Sequence, residues 1–228
     1  TQWESRGCGG GGSLFRPTIS PHDHDEIYMQ CDMTEVFHTG DQGESWAELH
    51  FNELISTGGN HTVEFTSDPD ILYTVNLDFL TDEYFPVKST DGGATWNTIN
   101  DPTGGGCWYI NADPNSTDRL IIASYTSMYF SDDGGNSFNM VHNNGGSFYI
   151  AGVFWNGNDI YVGTEDGMFV SNNGGTSFAL DGAGGIAAGE GFISFTGSEE
   201  TGVVQLMGTT AADADLFPGL KPLDINIY

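Results

Sequence analysis

The chain has 228 residues and a formal net charge of −27, with five Lys and Arg residues against 32 Asp and Glu residues. Such a surface repels nucleic-acid phosphates and anionic lipid, which excludes both as partners. A hydrophobic content of 38% with 33 Gly residues is typical of a folded β protein and excludes a disordered acidic tail. No apolar run reaches the roughly 18 residues of a transmembrane helix, so we expect no membrane insertion.

One short segment recurs four times, as TGDQGESW (39–46), STDGGATW (89–96), SDDGGNSF (131–138) and SNNGGTSF (171–178). Each copy, called a box below, has Ser or Thr first, Asp or Asn third, Gly fifth and an aromatic residue eighth. A short carboxylate or amide accepts hydrogen bonds from backbone N–H groups two or three residues ahead, and the Gly supplies the positive φ of a tight turn. The boxes therefore predict structural turns followed by core rings, at Asp41, Trp46, Asp91, Trp96, Asp133, Phe138, Asn173 and Phe178.

The boxes begin at residues 39, 89, 131 and 171, and two short strands are predicted before each of them. A period of about 40–50 residues with strand-like composition is the signature of propeller blades. We predict an all-β propeller with four-stranded blades at 8–57, 58–103, 104–145 and 146–185, and a partial blade at 186–228. Because an unclosed propeller exposes two sheet edges, we expect a longer protein, or another chain or segment that closes the ring.

The boxes resemble the Asp-box, or bacterial neuraminidase repeat, of sialidases, sortilin-type receptors, a photosystem assembly factor and xyloglucanase-type glycoside hydrolases. The segment from Gly7 to Trp46 is most similar to the first blade of the xyloglucanase-type group. This resemblance covers about residues 7 to 180 and implies the fold. It leaves the function open, because the repeat occurs in enzymes, receptors and assembly factors alike. Sialidase activity is disfavoured, since a sialic acid site needs three clustered Arg residues and the chain has three in all, Arg6, Arg16 and Arg119.

In the xyloglucanase-type relatives, the Asp that ends the strand before the first box is one of two catalytic acids. The resemblance implies this role for Asp32, although Thr34 and Glu35 stand where that family has two small residues. An inverting glycosidase needs two carboxyls about 6.5–9.5 Å apart, and no second acid is recognisable in the sequence. The other interpretation of Asp32 is a structural carboxylate that bonds the inner backbone of its blade.

Two Gly-rich runs, TGGGC (103–107) and NNGGS (143–147), precede pairs of aromatic residues. Sugars stack their apolar faces on aromatic rings, so these pairs are candidate ligand-binding residues. The other interpretation of the same rings is buried packing between blades. The candidates are Trp108, Tyr109, Phe148 and Tyr149.

No cofactor is predicted. The segment PHDHDE (21–26) has His and carboxylate residues at alternate positions, but it occupies the place of an exposed turn in the repeat, which favours a turn over a metal site. Calcium remains an alternative, at a site assembled from separate loops. Three Cys residues, Cys8, Cys31 and Cys107, leave a bridge between Cys8 and Cys31 and buried thiols as open alternatives.

These observations favour a secreted or cell-surface propeller that acts as a binding or scaffold module. Its partner would be an extracellular polysaccharide or a protein. The alternative function is the N-terminal part of a xyloglucanase-type glycoside hydrolase, in which Asp32 is one of two catalytic acids. A second acid in a cleft facing Asp32 would distinguish the two.

Overall fold

A computed structural model describes residues 13–32, 36–55, 62–181, 189–210 and 224–227. The described residues form strands and turns and include no α-helix, so no helix among them could cross a membrane. Cys8 and the Gly-rich run at 7–12 lie outside these ranges. The chain divides into two compact units. Unit 1 is Thr1–Ser124 with Tyr129–Asn139, and unit 2 is Tyr125–Met128 with Met140–Tyr228.

The described strands form four four-stranded sheets and one three-stranded sheet, all antiparallel. Sheet 1 contains β1 (Leu14–Ile19), β2 (Ile27–Cys31), β3 (Val36–Thr39) and β4 (Ala47–Glu48). Sheet 2 contains β5 (Glu64–Phe65), β6 (Leu72–Asp78), β7 (Glu83–Ser89) and β8 (Asn97–Thr98). Sheet 3 contains β9 (Tyr109–Ala112), β10 (Leu120–Ala123), β11 (Ser127–Ser131) and β12 (Asn139–Asn143). Sheet 4 contains β13 (Ile150–Asn156), β14 (Asp159–Thr164), β15 (Gly167–Ser171) and β16 (Ala179–Asp181), and sheet 5 contains β17 (Phe192–Glu200), β18 (Val203–Thr210) and β19 (Asp224–Ile227).

In each of the first four sheets, neighbouring strands in the sequence are neighbours in the sheet. The middle strands are the most buried: β10 (LIIA) and β11 (SMYFS) are buried at every residue. Continuous apolar runs of this kind belong to strands that are covered on both faces. The fourth strands β4 and β8 are only two residues long and exposed, which leaves little unpaired edge for other chains to pair with.

Each box connects the third and fourth strands of its sheet and forms the same hydrogen-bonded turn. In the second box, the hydroxyl of Ser89 donates to Asp91 at 2.8 Å and accepts the Gly93 N–H at 2.8 Å. The Asp91 carboxylate accepts the backbone N–H of Thr95 at 2.8 Å and its hydroxyl at 2.6 Å. Gly93 has a φ of 87°, the positive value that the sequence predicts. The accepted N–H of Thr95 lies four residues ahead of the carboxylate, and a weaker bond comes from the N–H of Ala94, three residues ahead as predicted.

The box carboxylates are held in their ionised form by these hydrogen bonds. Donation from Ser137 lowers the pKa of Asp133 to about 2, against a small opposing effect of burial. The fourth box has Asn173 instead, whose Nδ2 donates to the Ser177 hydroxyl at 2.9 Å while its Oδ1 accepts the Ser177 N–H at 3.0 Å. The amide thus keeps the turn by reversing one donor and acceptor. The predicted core rings after the boxes, Trp46, Trp96, Phe138 and Phe178, are all half-buried.

Tyr residues of second strands join consecutive sheets within unit 1. The Tyr28 ring belongs to a buried cluster with Leu54, Val63 and Leu72, and Trp96 packs against this cluster. In the same way, Tyr73 of sheet 2 lies in a cluster with residues of sheet 3 and donates its hydroxyl to the Thr117 carbonyl at 2.7 Å. Burial raises the pKa of the Tyr73 hydroxyl well above its ordinary value, so it remains a donor. These contacts make unit 1 a stack of interlocked sheets.

The core of unit 2 lies between sheet 4 and sheet 5. Phe192 and Phe195 meet edge to face with ring centroids 5.2 Å apart, beside buried Met168 and Leu206. Edge-to-face pairs at this distance are a favourable aromatic geometry. The segment after the fourth box therefore forms a three-stranded sheet that packs on sheet 4.

Candidate functional site

The alternation of antiparallel strands separates each four-stranded sheet into two ends. The box lies at one end, together with the turn between the first and second strands. The connection between the second and third strands lies at the opposite end, called the non-box end below. Asp32 follows β2, and it therefore lies at the non-box end of sheet 1. Trp108, directly before β9, lies at the non-box end of sheet 3.

Asp32 is an exposed side chain that is hydrogen-bonded to the backbone of Ser13 and to the Cys31 thiol. Its Oδ1 accepts the backbone N–H of Ser13 at 2.7 Å, and the Asp32 N–H donates to the Ser13 carbonyl at 3.2 Å. These bonds match the structural interpretation of Asp32, a carboxylate that bonds the inner backbone of its own blade. Because the side chain is also exposed, a ligand can reach it, and the catalytic interpretation stays a prediction.

Tyr84 and Trp108 form a close, tilted aromatic pair at the non-box end of unit 1. Their ring centroids are 4.0 Å apart with an interplanar angle of 36°, and both side chains are half-buried. Backbone bonds fix the pair: the Tyr84 N–H donates to the Gly105 carbonyl at 2.8 Å, and the Cys107 N–H donates to the Tyr84 carbonyl at 3.1 Å. The pair is therefore preformed and partly open to solvent.

The Gly-rich run at 103–107 has a specific role in this arrangement. Asp101 accepts the Gly105 N–H at 2.7 Å and the Thr103 N–H at 2.9 Å, so its carboxylate holds the loop closed. A Cβ on Gly105 would lie 2.9–3.0 Å from the side chain of Glu83, and its φ is 83°. Only Gly fits beneath Glu83 here. The Glu83 side chain thus lies over the loop that leads to Trp108.

The four aromatic residues proposed as ligand contacts occupy different environments. Tyr109 and Phe148 are 4% and 2% exposed, and these rings lie in the core where no ligand can stack on them. Tyr149 is half-buried, packs against the core of unit 2 and donates its hydroxyl to the Ile193 carbonyl. Trp108 is the candidate that remains at an accessible position. Its partner Tyr84 was not proposed from the sequence, because it lies within a predicted strand and no motif marks it.

Polar residues also gather at the non-box end of unit 2. Asp166 accepts the Asn144 amide at 2.9 Å, and its Oδ2 lies 3.4 Å from Nε2 of His142, whose ring packs on Phe169. Burial and the neighbouring charge of Asp166 raise the pKa of the Glu165 carboxyl. This cluster was not predicted from the sequence, because its members come from separate connections. Within the described residues, no group of His, Cys, Asp or Glu has the arrangement of a metal site.

The predicted turn at 21–26 is exposed, and its residues serve local contacts. His22 Nε2 lies 2.8 Å from the Thr66 carbonyl oxygen, while Glu26 pairs with His38 at 3.3 Å. The Ser20 hydroxyl accepts the backbone N–H groups of His22 and Asp23 at 3.3 Å. The His and carboxylate residues of this segment are thus directed to different partners.

A buried carboxyl lies where the innermost strands of unit 1 meet. Glu64 on β5 accepts the Asn111 amide of β9 at 2.9 Å. Burial raises the pKa of Glu64 from 4.5 to about 8, although the charge of Arg16 and a backbone N–H of Ala112 act in the opposite direction. Arg16 on β1 has a φ of 44°, a strained value for a residue with a side chain. These residues link the first strands of three successive sheets.

Comparison with protein-family models and with curated proteins finds no match. Solved structures do match, and they are propellers. An ancestral GH74 enzyme is similar with a TM-score of 0.66 and 21% identity, over 95% of this chain and 30% of that one. The GH74 xyloglucanase from Xanthomonas campestris has a TM-score of 0.62 and 18% identity, over 91% of this chain and 35% of that one. YCF48 bound to a D1 peptide has a TM-score of 0.54 and 13% identity, over 90% of this chain and 64% of that one.

These similarities establish the fold. The described residues form an all-β propeller with four four-stranded blades, which are sheets 1 to 4, and this confirms the predicted fold class. The chain spans about a third of the length of the two GH74 structures that it matches. At these levels of identity, the similarity extends to the fold and not to activity or substrate.

Proposed function

We propose that this propeller is an extracellular or cell-surface module that binds a polysaccharide at the non-box end of unit 1. The observation that carries the proposal is the tilted Tyr84–Trp108 pair, which backbone hydrogen bonds hold in place and which is partly exposed. The apolar face of a pyranose ring packs on such a surface, and aromatic side chains with a few well-placed polar groups line small-ligand sites generally.

A carboxylate on the strand that carries Tyr84 suits the hydroxyl groups of a sugar. The Glu83 side chain lies directly over Gly105, beside Tyr84 in the sequence. A carboxylate accepts hydrogen bonds from sugar hydroxyls without requiring a charge on the ligand. A neutral polysaccharide also avoids the repulsion that the net charge of −27 imposes on an anionic one. The similarity to a xyloglucanase makes xyloglucan the first ligand to test.

The experiment is isothermal titration calorimetry, in which xyloglucan oligosaccharides are added to the protein and the dissociation constant is measured. Trp108→Ala is expected to weaken binding about tenfold, because an aromatic contact contributes roughly 0.5–1.5 kcal/mol beyond its buried area and 1.4 kcal/mol is a factor of ten. Trp108→Phe keeps a ring and should retain most of the affinity. Met140→Ala, an exposed position on β12, is the control for an unrelated surface change.

Equal affinities for wild type and Trp108→Ala would remove the aromatic pair from the site. Saturable binding of an unstructured polypeptide, lost in Trp108→Ala, with no binding of any oligosaccharide, would instead assign this surface to a protein partner. Both results are distinct from misfolding, which circular dichroism of the variant would reveal.

A second candidate function is glycoside hydrolysis. It is favoured by the exposure of Asp32 at the non-box end of sheet 1 and by the GH74 structures, which are enzymes in their full length. Hydrolysis with inversion needs a second carboxyl, which a longer form of the protein could supply.

The hydrolase proposal predicts release of reducing ends from xyloglucan by the natural protein. Asp32→Asn should then lower kcat at least about 100-fold, because general acid–base catalysis contributes about 10²- to 10⁴-fold. Asp132→Asn, which changes an exposed carboxylate of the third box, is the control. Equal rates for Asp32→Asn and wild type would leave Asp32 as a structural carboxylate.

A further inference from the structure

A groove lined by both apolar and polar side chains lies on unit 1, between the connection that follows β4 and the hairpin that joins β6 to β7. Its volume is about 450 Å³. This groove, called the hairpin groove below, is separate in its lining from the Tyr84–Trp108 pair. Its apolar lining consists of Phe51, Ile55, Leu77, Phe79, Leu80 and Phe85.

The hairpin displays its apolar residues to solvent. Phe79 is 79% exposed, Leu80 is 94% exposed, and Phe51 across the groove is 56% exposed. Burial of apolar surface stabilises a protein by about 25 cal/mol per Å². The adjacent Phe and Leu side chains at this hairpin tip are exposed, so they do not contribute this stabilisation to the fold. Contiguous exposed apolar residues of this kind mark interaction sites on soluble proteins.

The backbone holds the hairpin tip outward. The Leu80 N–H donates to the Asp78 carboxylate at 2.9 Å, and the Asp82 N–H donates to the Asp78 carbonyl at 2.8 Å. Asp82 has a φ of 57°, which closes the hairpin in a left-handed conformation that Asp tolerates. The exposed side chains are therefore presented by a defined turn.

The floor of the groove is also fixed. The Ile55 N–H donates to the Asn76 side chain at 2.8 Å, and the Leu77 N–H donates to the Ile55 carbonyl at 3.2 Å. Leu54, between the groove and the core, is fully buried. The groove thus exists before any partner binds, which lowers the ordering cost of association.

The charges around the groove are all negative. Asp78 lines it, and Glu53, Asp82 and Glu83 lie on the same two segments. No Lys or Arg occurs in the sequence between Arg16 and Lys88. Elsewhere in unit 1, Lys88 lies over the Tyr73 ring and Arg119 pairs with Asp113. An apolar surface with an acidic rim is complementary to an apolar segment that carries Lys or Arg.

We propose that the hairpin groove docks a short segment of a partner protein with bulky apolar side chains flanked by Lys or Arg. This inference goes beyond the polysaccharide site and does not depend on it. A second copy of this chain is a poor occupant, because it would bring another −27 charge to the acidic rim. An anionic membrane surface is disfavoured for the same reason.

The test uses fluorescence anisotropy with a labelled peptide of sequence Lys-Lys-Leu-Phe-Leu-Lys-Lys. We expect saturable binding that the double variant Phe79→Ser/Leu80→Ser weakens at least tenfold. Glu53→Gln/Asp82→Asn should weaken binding several-fold and reduce its salt dependence, since Asn also accepts a positive φ. The control Val203→Ser/Met207→Ser removes two exposed apolar side chains of β18 in unit 2 and should leave binding unchanged.

Three results would overturn the proposal. One is equal binding of wild type and Phe79→Ser/Leu80→Ser. Another is equal binding of a peptide in which Ser replaces the Leu and Phe residues, which would show that charge attraction alone accounts for the binding. The third is self-association of the wild type that Phe79→Ser/Leu80→Ser abolishes in sedimentation, which would make a second copy the occupant. Because these variants leave Tyr84 and Trp108 intact, retained xyloglucan binding separates this test from that of the proposed function.

Discussion

Replacing Gly152 with Ala is expected to destabilise unit 2 by about 3 kcal/mol. A Cβ at this position on β13 would lie 2.1 Å from the backbone carbonyl oxygen of Phe195 on β17. No flexible side chain can move to relieve this clash, so the strands of sheet 4 and sheet 5 must separate. Overpacking of a close-packed interior typically costs about 1–3 kcal/mol, and a backbone clash lies at the upper limit.

The same interface contains two further contacts between Gly and Phe, at Gly163 and Gly197, and a third, at Gly208, lies within sheet 5. A Cβ on Gly163 would lie 2.4 Å from the Phe195 ring, one on Gly197 would lie 2.5 Å from Phe154, and one on Gly208 would lie 2.6 Å from Phe192. Each Gly lacks a side chain and so leaves a flat area of sheet on which a Phe ring can lie. The two sheets approach closely because Phe rings of one sheet pack on Gly residues of the other.

The measurement for Gly152→Ala is native-state hydrogen exchange, which reports the stability of β13 and β17 separately from unit 1. Gly146→Ala is the matched control, since nothing lies within 4 Å of its Cβ position and its φ is not positive. Protection of the β13 amides that stays within 0.5 kcal/mol of wild type in Gly152→Ala would show that the two sheets can slide apart at little cost.

The sequence predicts the repeated parts of this fold well and the contacts between repeats poorly. The boxes are local: a hydroxyl, a carboxylate and a Gly within five residues make the whole turn, so their spacing reveals the blade period. The contact between Gly152 and Phe195 joins residues from different sheets, and each looks unremarkable in its own strand. Nothing in the local pattern distinguishes a Gly that receives a ring from one that closes a turn.

The candidate site divides in the same manner. Trp108 could be selected because a Gly-rich run precedes it, whereas Tyr84 lies in a strand and becomes significant only through its contact with Trp108. Tyr109 has the same sequence environment as Trp108, but alternation along the strand points it into the core. The hairpin groove was missed because exposed Phe79 and Leu80 resemble core residues of a longer strand.

Glu64 was also missed, since a single Glu in a predicted strand carries no signal of burial. In the structure its carboxyl lies between β5 and β9, and burial raises its pKa to about 8. Between pH 4.5 and 8 the folded protein therefore keeps a proton on Glu64 that the unfolded chain has released. Stability from this group is complete below pH 4.5 and is lost as the pH rises through 8. Repulsion between other carboxylates also changes with pH, so a variant is needed to isolate the effect.

Glu64→Gln is the variant that isolates it, because Gln is neutral at every pH and its carbonyl still accepts the Asn111 amide. We expect wild type and Glu64→Gln to have similar free energies of unfolding at pH 5, while at pH 9 the variant is more stable by about 1–3 kcal/mol. The upper bound follows from about 1.4 kcal/mol per pH unit, reduced because Glu64 retains some solvent contact. Urea unfolding at pH 5, 7 and 9 measures the difference, and exposed Glu53→Gln is the control. A constant difference between Glu64→Gln and wild type across this range would mean that Glu64 is ionised in the folded protein and that Arg16 and Asn111 compensate for its burial.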